Sequence, residues 1–205
     1  MNRRIFALAT TALALLSVSP LACAADELRV MVHSSFSLPK PLLAQFEAQN
    51  GLKLALIKGG DAGEMLNKLI LTKAQPVADV VFGIDNTLVG KALAAEVLEP
   101  TLPQAHDEVN SVLGKALVQV DYGFVAINFD KSTLARSSVA LPKTLQELAL
   151  PAYKNWLVTP NPATSSTGYA FLLATISAMG EEKAFEWWAQ MRSNGLTVGK
   201  GWSEA

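Results

Sequence analysis

The sequence predicts an α/β protein built on an open, mostly parallel sheet, and three observations carry that prediction. Short strand patterns recur at 28–32, 52–57 and 78–82, the third with little room for alternation, as a strand covered on both faces requires. Segments with helical apolar spacing lie between them, each opened by a proline, aspartate or asparagine. The connections are short, so the chain reads as strand and helix in alternation.

Taken in order, the first strand covers 28–32, and Pro39 or Pro41 opens a helix that carries Leu42, Leu43 and Phe46 and ends near Gly51. The second strand is 52–57. A glycine-rich turn at 58–63 leads into a helix with Met65, Leu66, Leu69 and Ile70 on one face. The third strand, 78–82, turns through 83–86 into a helix holding Leu88, Val89, Ala92 and Leu93. In open α/β sheets ligands bind beyond the carboxyl ends of the strands, which puts loops 33–36, 59–63 and 83–86 on one functional rim.

The second half changes character. Residues 100–110 are polar and loop-like, and 116–130 reads as a long strand with Val118, Val120, Tyr122, Phe124 and Ala126 on one face. Such a strand can leave one lobe and enter another, with a hinge at 118–123. Two α/β lobes are therefore expected, 25–118 and 119–205. Leu145 and Leu148 mark a short helix; Leu157 and Val158 make a strand stopped by Pro160 and Pro162; an apolar run at 169–179 resumes as helix. A further helix carries Phe185, Trp188 and Met191, with Trp187 and Trp188 as core and boundary residues, before a last strand at 196–198.

The chain has 205 residues, half of them hydrophobic, and a net charge of -1, enough for one sizeable core or two small ones. No basic run follows the first four residues, which argues against nucleic-acid binding. Arg3 and Arg4, the apolar stretch 5–18 and the small residues Ala22, Cys23 and Ala24 read as a signal peptide over 1–24. Its apolar part is too short for a membrane span. The mature chain is then exported, mildly acidic and free of cysteine, since Cys23 is the only one. Lipidation of Cys23 would want a leucine three positions upstream, where Pro20 stands.

Four groups carry candidate chemistry, each with a plainer structural alternative. Thr164, Ser165, Ser166 and Thr167 precede a helix, so they either cap it or join its free N–H groups in an anion site. Asp61, after two glycines, either caps the next helix or offers a carboxylate on the rim. Asp85 and Asn86 have the same two readings. Trp202, flanked by Gly201 and Ser203, either packs on other structure or presents a flat ring for stacking and cation–π contact. His33 and His106 have no partner at ligand spacing, so no metal is expected, and no nucleophile pattern marks an enzyme.

Four segments together resemble the periplasmic thiamine-binding proteins, the substrate-binding components of thiamine ABC transporters, which are similar to the wider iron- and polyamine-type solute-binding proteins. They are Ala78-Asp-Val-Val-Phe-Gly-Ile-Asp-Asn86, Val120-Asp-Tyr-Gly-Phe-Val-Ala126, Asn161-Pro-Ala-Thr-Ser-Ser-Thr-Gly168 and Thr197-Val-Gly-Lys-Gly-Trp-Ser-Glu-Ala205. The resemblance implies a type II periplasmic binding protein with two lobes and a cleft. It implies a monomer that binds thiamine or its mono- and diphosphates and hands it to a membrane permease, with no cofactor. It puts Asp61 and Ala62 in the cleft loop, Ser165 and Ser166 at the phosphate end, and Trp202 against thiamine. Asp85 stays a ligand candidate from its place on the rim.

Departures accompany the match. The family's Asp-Gly is Asp61-Ala62 here, and its Tyr-Asp pair after the first strand is His33-Ser34. Family members also continue beyond the Trp-Ser-Glu-Ala segment, so an incomplete second lobe is expected, with a truncated remnant as one alternative. Another is ferric iron or a different small solute, although Tyr122, Tyr153 and Tyr169 are not clustered in sequence.

Overall fold

The computed structural model describes residues 26–99 and 116–205. The expected signal peptide and the polar loop at 100–110 lie outside the described residues. Strands β1 (Glu27–Val32), β2 (Lys53–Lys58) and β3 (Val80–Phe82) form a parallel sheet in the order β2-β1-β3. Val30 of the central strand faces Leu56 on one side and Val80 on the other. Met31 and Val32 are fully buried, as a strand flanked on both edges and covered on both faces should be. Because β2 and β3 lie on opposite sides of β1, the loops leaving β1 and β3 part at a topological switch point.

Helix α1 (Lys40–Asn50) starts at Pro39 and stops at Gly51, whose φ of 66° closes the last turn with an N–H to the Glu47 carbonyl at 2.9 Å. Its expected apolar face is only partly covered, with Leu42 and Phe46 exposed. Helix α2 (Ala62–Leu71) carries the first core: Ala62 and Leu66 pack with Leu88 and Ala92 of the turn and helix α3 (Val89–Ala94), against Ile70 and Ile84.

A polar clamp fixes β3 beside β1. The Arg29 guanidinium grips Asp79 through Nε at 3.1 Å and NH2 at 2.6 Å, while the Arg29 N–H donates to the same carboxylate at 2.9 Å. These bonds hold the Asp79 carboxyl down at about 2, against an ordinary 3.8. The folded value lies below the unfolded one, so the clamp's contribution is complete above pH 4 and disappears as pH falls towards 2. Asp79→Asn should therefore lower stability at neutral pH and flatten this acid limb; denaturation midpoints at pH 7, 4 and 2.5 provide the check.

Residues 117–130 depart from expectation. No strand forms there: Val120, Tyr122 and Phe124 are exposed and pair with no described strand. Alternation supplies a face, but a strand also needs a neighbour to take its N–H and C=O groups. The hinge expected at 118–123 therefore has no strand to sit on. Helix α4 (Lys131–Arg136) follows, capped by Asp130, which accepts from the Thr133 N–H at 2.6 Å. Helix α5 (Leu145–Leu148) is capped by Thr144.

Strands β4 (Val158–Pro160) and β5 (Thr197–Gly199) pair in parallel, with helices α6 (Ser166–Met179) and α7 (Glu181–Ser193) between them in sequence. Leu148, Trp187 and Met191 form the second core, ringed by Leu145, Leu157, Phe171, Trp188 and Leu196. Trp187 is core and Trp188 a boundary residue, as expected, but Phe185 points outward and is half exposed. A Cβ on Gly168 would stand 2.3 Å from the Pro160 carbonyl oxygen, so only glycine lets α6 begin against the end of β4. Among the described residues no helix is long and apolar enough to cross a membrane.

Candidate functional site

Three loop ends meet at the start of α2. Gly60, with φ of 101°, turns the chain out of β2 so that Asp61 stands at the N-terminus of α2. The loop after β4 brings Thr164 onto this helix end, its carbonyl accepting the Glu64 N–H at 3.1 Å. A Cβ on Gly63 would lie 2.8 Å from that carbonyl oxygen, which is why a small residue stands there. The loop after β5 supplies Trp202, whose N–H donates to Asp61 Oδ2 at 2.8 Å. Thr164 Oγ1 in turn donates to the Lys200 carbonyl, tying the second and third loops together.

Asp61 is the centre of this arrangement. Besides Trp202, it accepts the Ala62 N–H on Oδ1 at 2.7 Å, and His33 Nε2 lies 3.2 Å from the same oxygen. Burial opposes its charge, but the N–H of Trp202, the nearby Ser165 hydroxyl, the N–H of Ala62 and the His33 ring outweigh it and hold the carboxyl below its ordinary range. Asp61 is therefore an anion at neutral pH. Ser165 Oγ, fully buried, lies near enough to contribute, yet it has no well-directed hydrogen-bond partner among the described residues. It precedes α6 without capping it through its side chain.

A recess of about 90 Å³ opens beside these groups, lined by Ser34, Asp61, Glu64, Lys200, Trp202 and Glu204 together with Gly60 and Gly201. Lys200 is held over it by Glu64 at 3.3 Å. Trp202 is 62% exposed, so its indole is open to contact with another flat group. Gly201 is essential to the geometry: a Cβ there would stand 2.8 Å from Asp61 Oδ2. Gly201→Val should break the Trp202–Asp61 bond, at a cost of about 1–3 kcal/mol for the unpaired groups. Urea unfolding beside the unsubstituted chain measures it, and an unchanged midpoint would show that the loop accommodates a side chain.

Of the residues singled out from sequence, Asp61, Ala62, Ser165 and Trp202 come together, and Ser166 is the adjoining half-buried first residue of α6. The Ala62 N–H is already taken by Asp61. Asp85 does not line the recess: its Oδ1 accepts from Thr87 N–H, Thr87 Oγ1 and Leu88 N–H at 3.0, 2.7 and 3.2 Å, making the turn before α3. Sequence reasoning gave no site role to His33, Glu64 or Lys200. The signal for His33 was its place on the rim after β1; for Glu64 and Lys200 only the fold brings them together. Among the described residues no group of three or more His, Cys, Asp or Glu is arranged to hold a metal.

The chain is similar to known proteins over most of its length. The family described as bacterial extracellular solute-binding protein matches residues 75–201. The thiamine-binding periplasmic protein of Brucella abortus is 31% identical, over 98% of this chain and 61% of its own length; that of Escherichia coli is 32% identical, over 87% and 55%. The chain thus spans about three fifths, or less, of the relatives it matches. A solved periplasmic thiamin binding protein superposes with a TM-score of 0.71 at 30% identity, covering 87% of this chain and 57% of that one. Iron-bound HitA from Pseudomonas aeruginosa shares the fold at a TM-score of 0.58 and 18% identity, covering 85% of this chain and 56% of its own. The architecture is that of type II periplasmic binding proteins, and because the family match runs over more than half of its length, the chain belongs to the bacterial extracellular solute-binding proteins.

Proposed function

We propose that this chain binds thiamine, free or phosphorylated, and in the periplasm delivers it to the permease of an ABC transporter without any chemical step of its own. The observation that carries the reading is the meeting of three separate loops at Asp61, which lines the recess with Trp202, accepts the Trp202 N–H and has the buried Ser165 hydroxyl beside it. Thiamine is a cationic heteroaromatic with a hydroxyl or phosphate tail. An ionised carboxylate, an exposed indole and a helix N-terminus beside a buried free hydroxyl are the groups such a molecule would engage. The relatives named for thiamine support the same choice. Asp61, Ala62, Ser165, Ser166 and Trp202 are the proposed contacts, and Asp85 a supporting residue of the rim.

At about 90 Å³ the recess is smaller than the ~300 Å³ or more that small-molecule sites usually occupy. The proposal therefore includes movement: the ligand stacks on the exposed indole of Trp202 and the 199–204 loop shifts outward to admit it. Ferric iron is the weaker reading, because Tyr153 spends its hydroxyl on the Ala140 carbonyl and Tyr122 lies exposed, away from the recess. Calorimetric titration of the purified chain with thiamine, its monophosphate, its diphosphate and ferric citrate separates the two. Saturable one-to-one binding of a thiamine form is the expected result. Binding of ferric citrate alone would overturn it.

A further inference from the structure

We propose that His33 is a positioning residue that makes cation capture in the recess sensitive to protons; this rests on the proposed cation site. The ring is held at both nitrogens. Nδ1 accepts the Ser35 N–H at 3.0 Å, so in the neutral ring the proton sits on Nε2, which faces Asp61 Oδ1 at 3.2 Å. The ring also lies 6.1 Å from that of Trp202, tilted by 57°. The same loop is tied to the Trp202 loop a second time, through Ser35 Oγ and Ser203 Oγ at 2.9 Å. His33 thus touches the carboxylate and the indole assigned to the ligand and anchors the turn that joins them.

A second proton has no acceptor to meet. It would arrive on Nδ1, directly opposite the Ser35 N–H, and two donors at that separation repel. The 33–35 turn must then shift, and the Ser35–Ser203 link with it. The charge acts in the same direction. Asp61, at the start of α2, faces His33; Glu64 of α2 and Lys200 and Glu204 of the last loop line the adjacent recess, and Lys58 at the end of β2 donates to the Phe36 carbonyl of the same turn. With neutral His33 the recess groups leave Asp61 uncompensated, which favours a cation. A positive ring 3.2 Å away compensates it. Acid therefore weakens cation binding by both routes, with a limiting slope of one proton, or tenfold per pH unit.

The test is thiamine affinity by calorimetry at pH 5.5, 6.5 and 7.5 for the unsubstituted chain, His33→Gln and His33→Phe, with circular dichroism at each pH to verify folding. The unsubstituted chain should lose at least fivefold in affinity between pH 7.5 and 5.5. His33→Gln, which keeps a donor towards Asp61 but cannot take up a proton, should bind with an affinity that stays level from pH 7.5 to 5.5. His33→Phe should be weaker at pH 7.5 and also level. Binding that is independent of pH in the unsubstituted chain, or a slope retained in His33→Gln, overturns the role of His33 and leaves the thiamine reading standing. Absence of thiamine binding at every pH overturns both. Imidazole nitrogen shifts of the ligand-free chain give an independent measure: a His33 proton on Nδ1 at pH 7.5 would also refute the assignment.

Discussion

Trp187→Ala should cost about 3–5 kcal/mol, a large part of the 5–15 kcal/mol that holds a typical domain together. Trp187 is only 3% exposed and meets Phe171 and Trp188 edge-on, with ring centroids 6.1 and 5.1 Å away. Its Nε1 donates to the Leu145 carbonyl at 2.7 Å, which fastens α5 to α7. Alanine leaves a cavity between these elements and strands a carbonyl oxygen inside it, so transfer, packing and hydrogen-bond losses coincide. Trp187→Phe keeps most of the ring but not the donor and should lose less. Urea denaturation followed by far-ultraviolet circular dichroism reads both. A loss below 1 kcal/mol for the alanine variant would mean that the second core is not organised around this ring.

The neighbouring Trp188 shows how far sequence carries. Two adjacent tryptophans on a helix must point in directions 100° apart, so one core and one boundary residue follow from helical geometry alone. Phe185, grouped with Met191 by spacing, turned out half exposed, because which side of the stripe is covered depends on what packs there. Strand and helix limits in the first lobe were legible to within two residues wherever a proline, a glycine or a capping aspartate punctuated the chain, as at Pro39, Gly51 and Asp61. Residues 117–130 mark the opposite case. Their alternation met the local condition for a strand, and the missing condition, a partner edge, is not written in the segment itself.

The same division runs through the site. That Asp61 caps α2 was legible from the two glycines before it and the apolar helix after it. That the N–H of Trp202, 141 positions later, completes its coordination was not, because only tertiary structure brings the two loops together. Capping uses one oxygen only: Oδ1 caps the helix while Oδ2 holds the Trp202 loop. Lys200 and Glu64 illustrate the limit in another way. Their pairing depends on the approach of 199–204 to α2, which in turn depends on Gly63 and Gly201, residues that carry no chemistry of their own.

Asp61→Ala should therefore remove two functions at once. The Trp202 and Ala62 N–H groups lose their acceptor, and the helix loses its cap, for a combined cost of about 2–4 kcal/mol. Thiamine affinity should fall on the order of 100-fold, the Coulomb value of about 3 kcal/mol for one charge pair 5–6 Å apart at an effective dielectric of 20. Asp61→Asn retains the shape but not the acceptors: its amide NH2 must face either the Trp202 N–H or the Ala62 N–H and His33 side, so donor meets donor whichever way it turns. The amide should rescue little of either loss. Acid gives the matching result without substitution. Because the folded Asp61 carboxyl lies below its unfolded value, its stabilisation is complete above the unfolded pKa and is lost as pH falls through the folded one, so the acid limb should shrink in Asp61→Asn. Denaturation midpoints across that range and calorimetry at pH 7.5 test the two effects separately. An Asp61→Asn chain that binds thiamine as tightly as the unsubstituted one would place the cation's counter-charge elsewhere, with Glu64 and Glu204 the nearest carboxylates on the same recess.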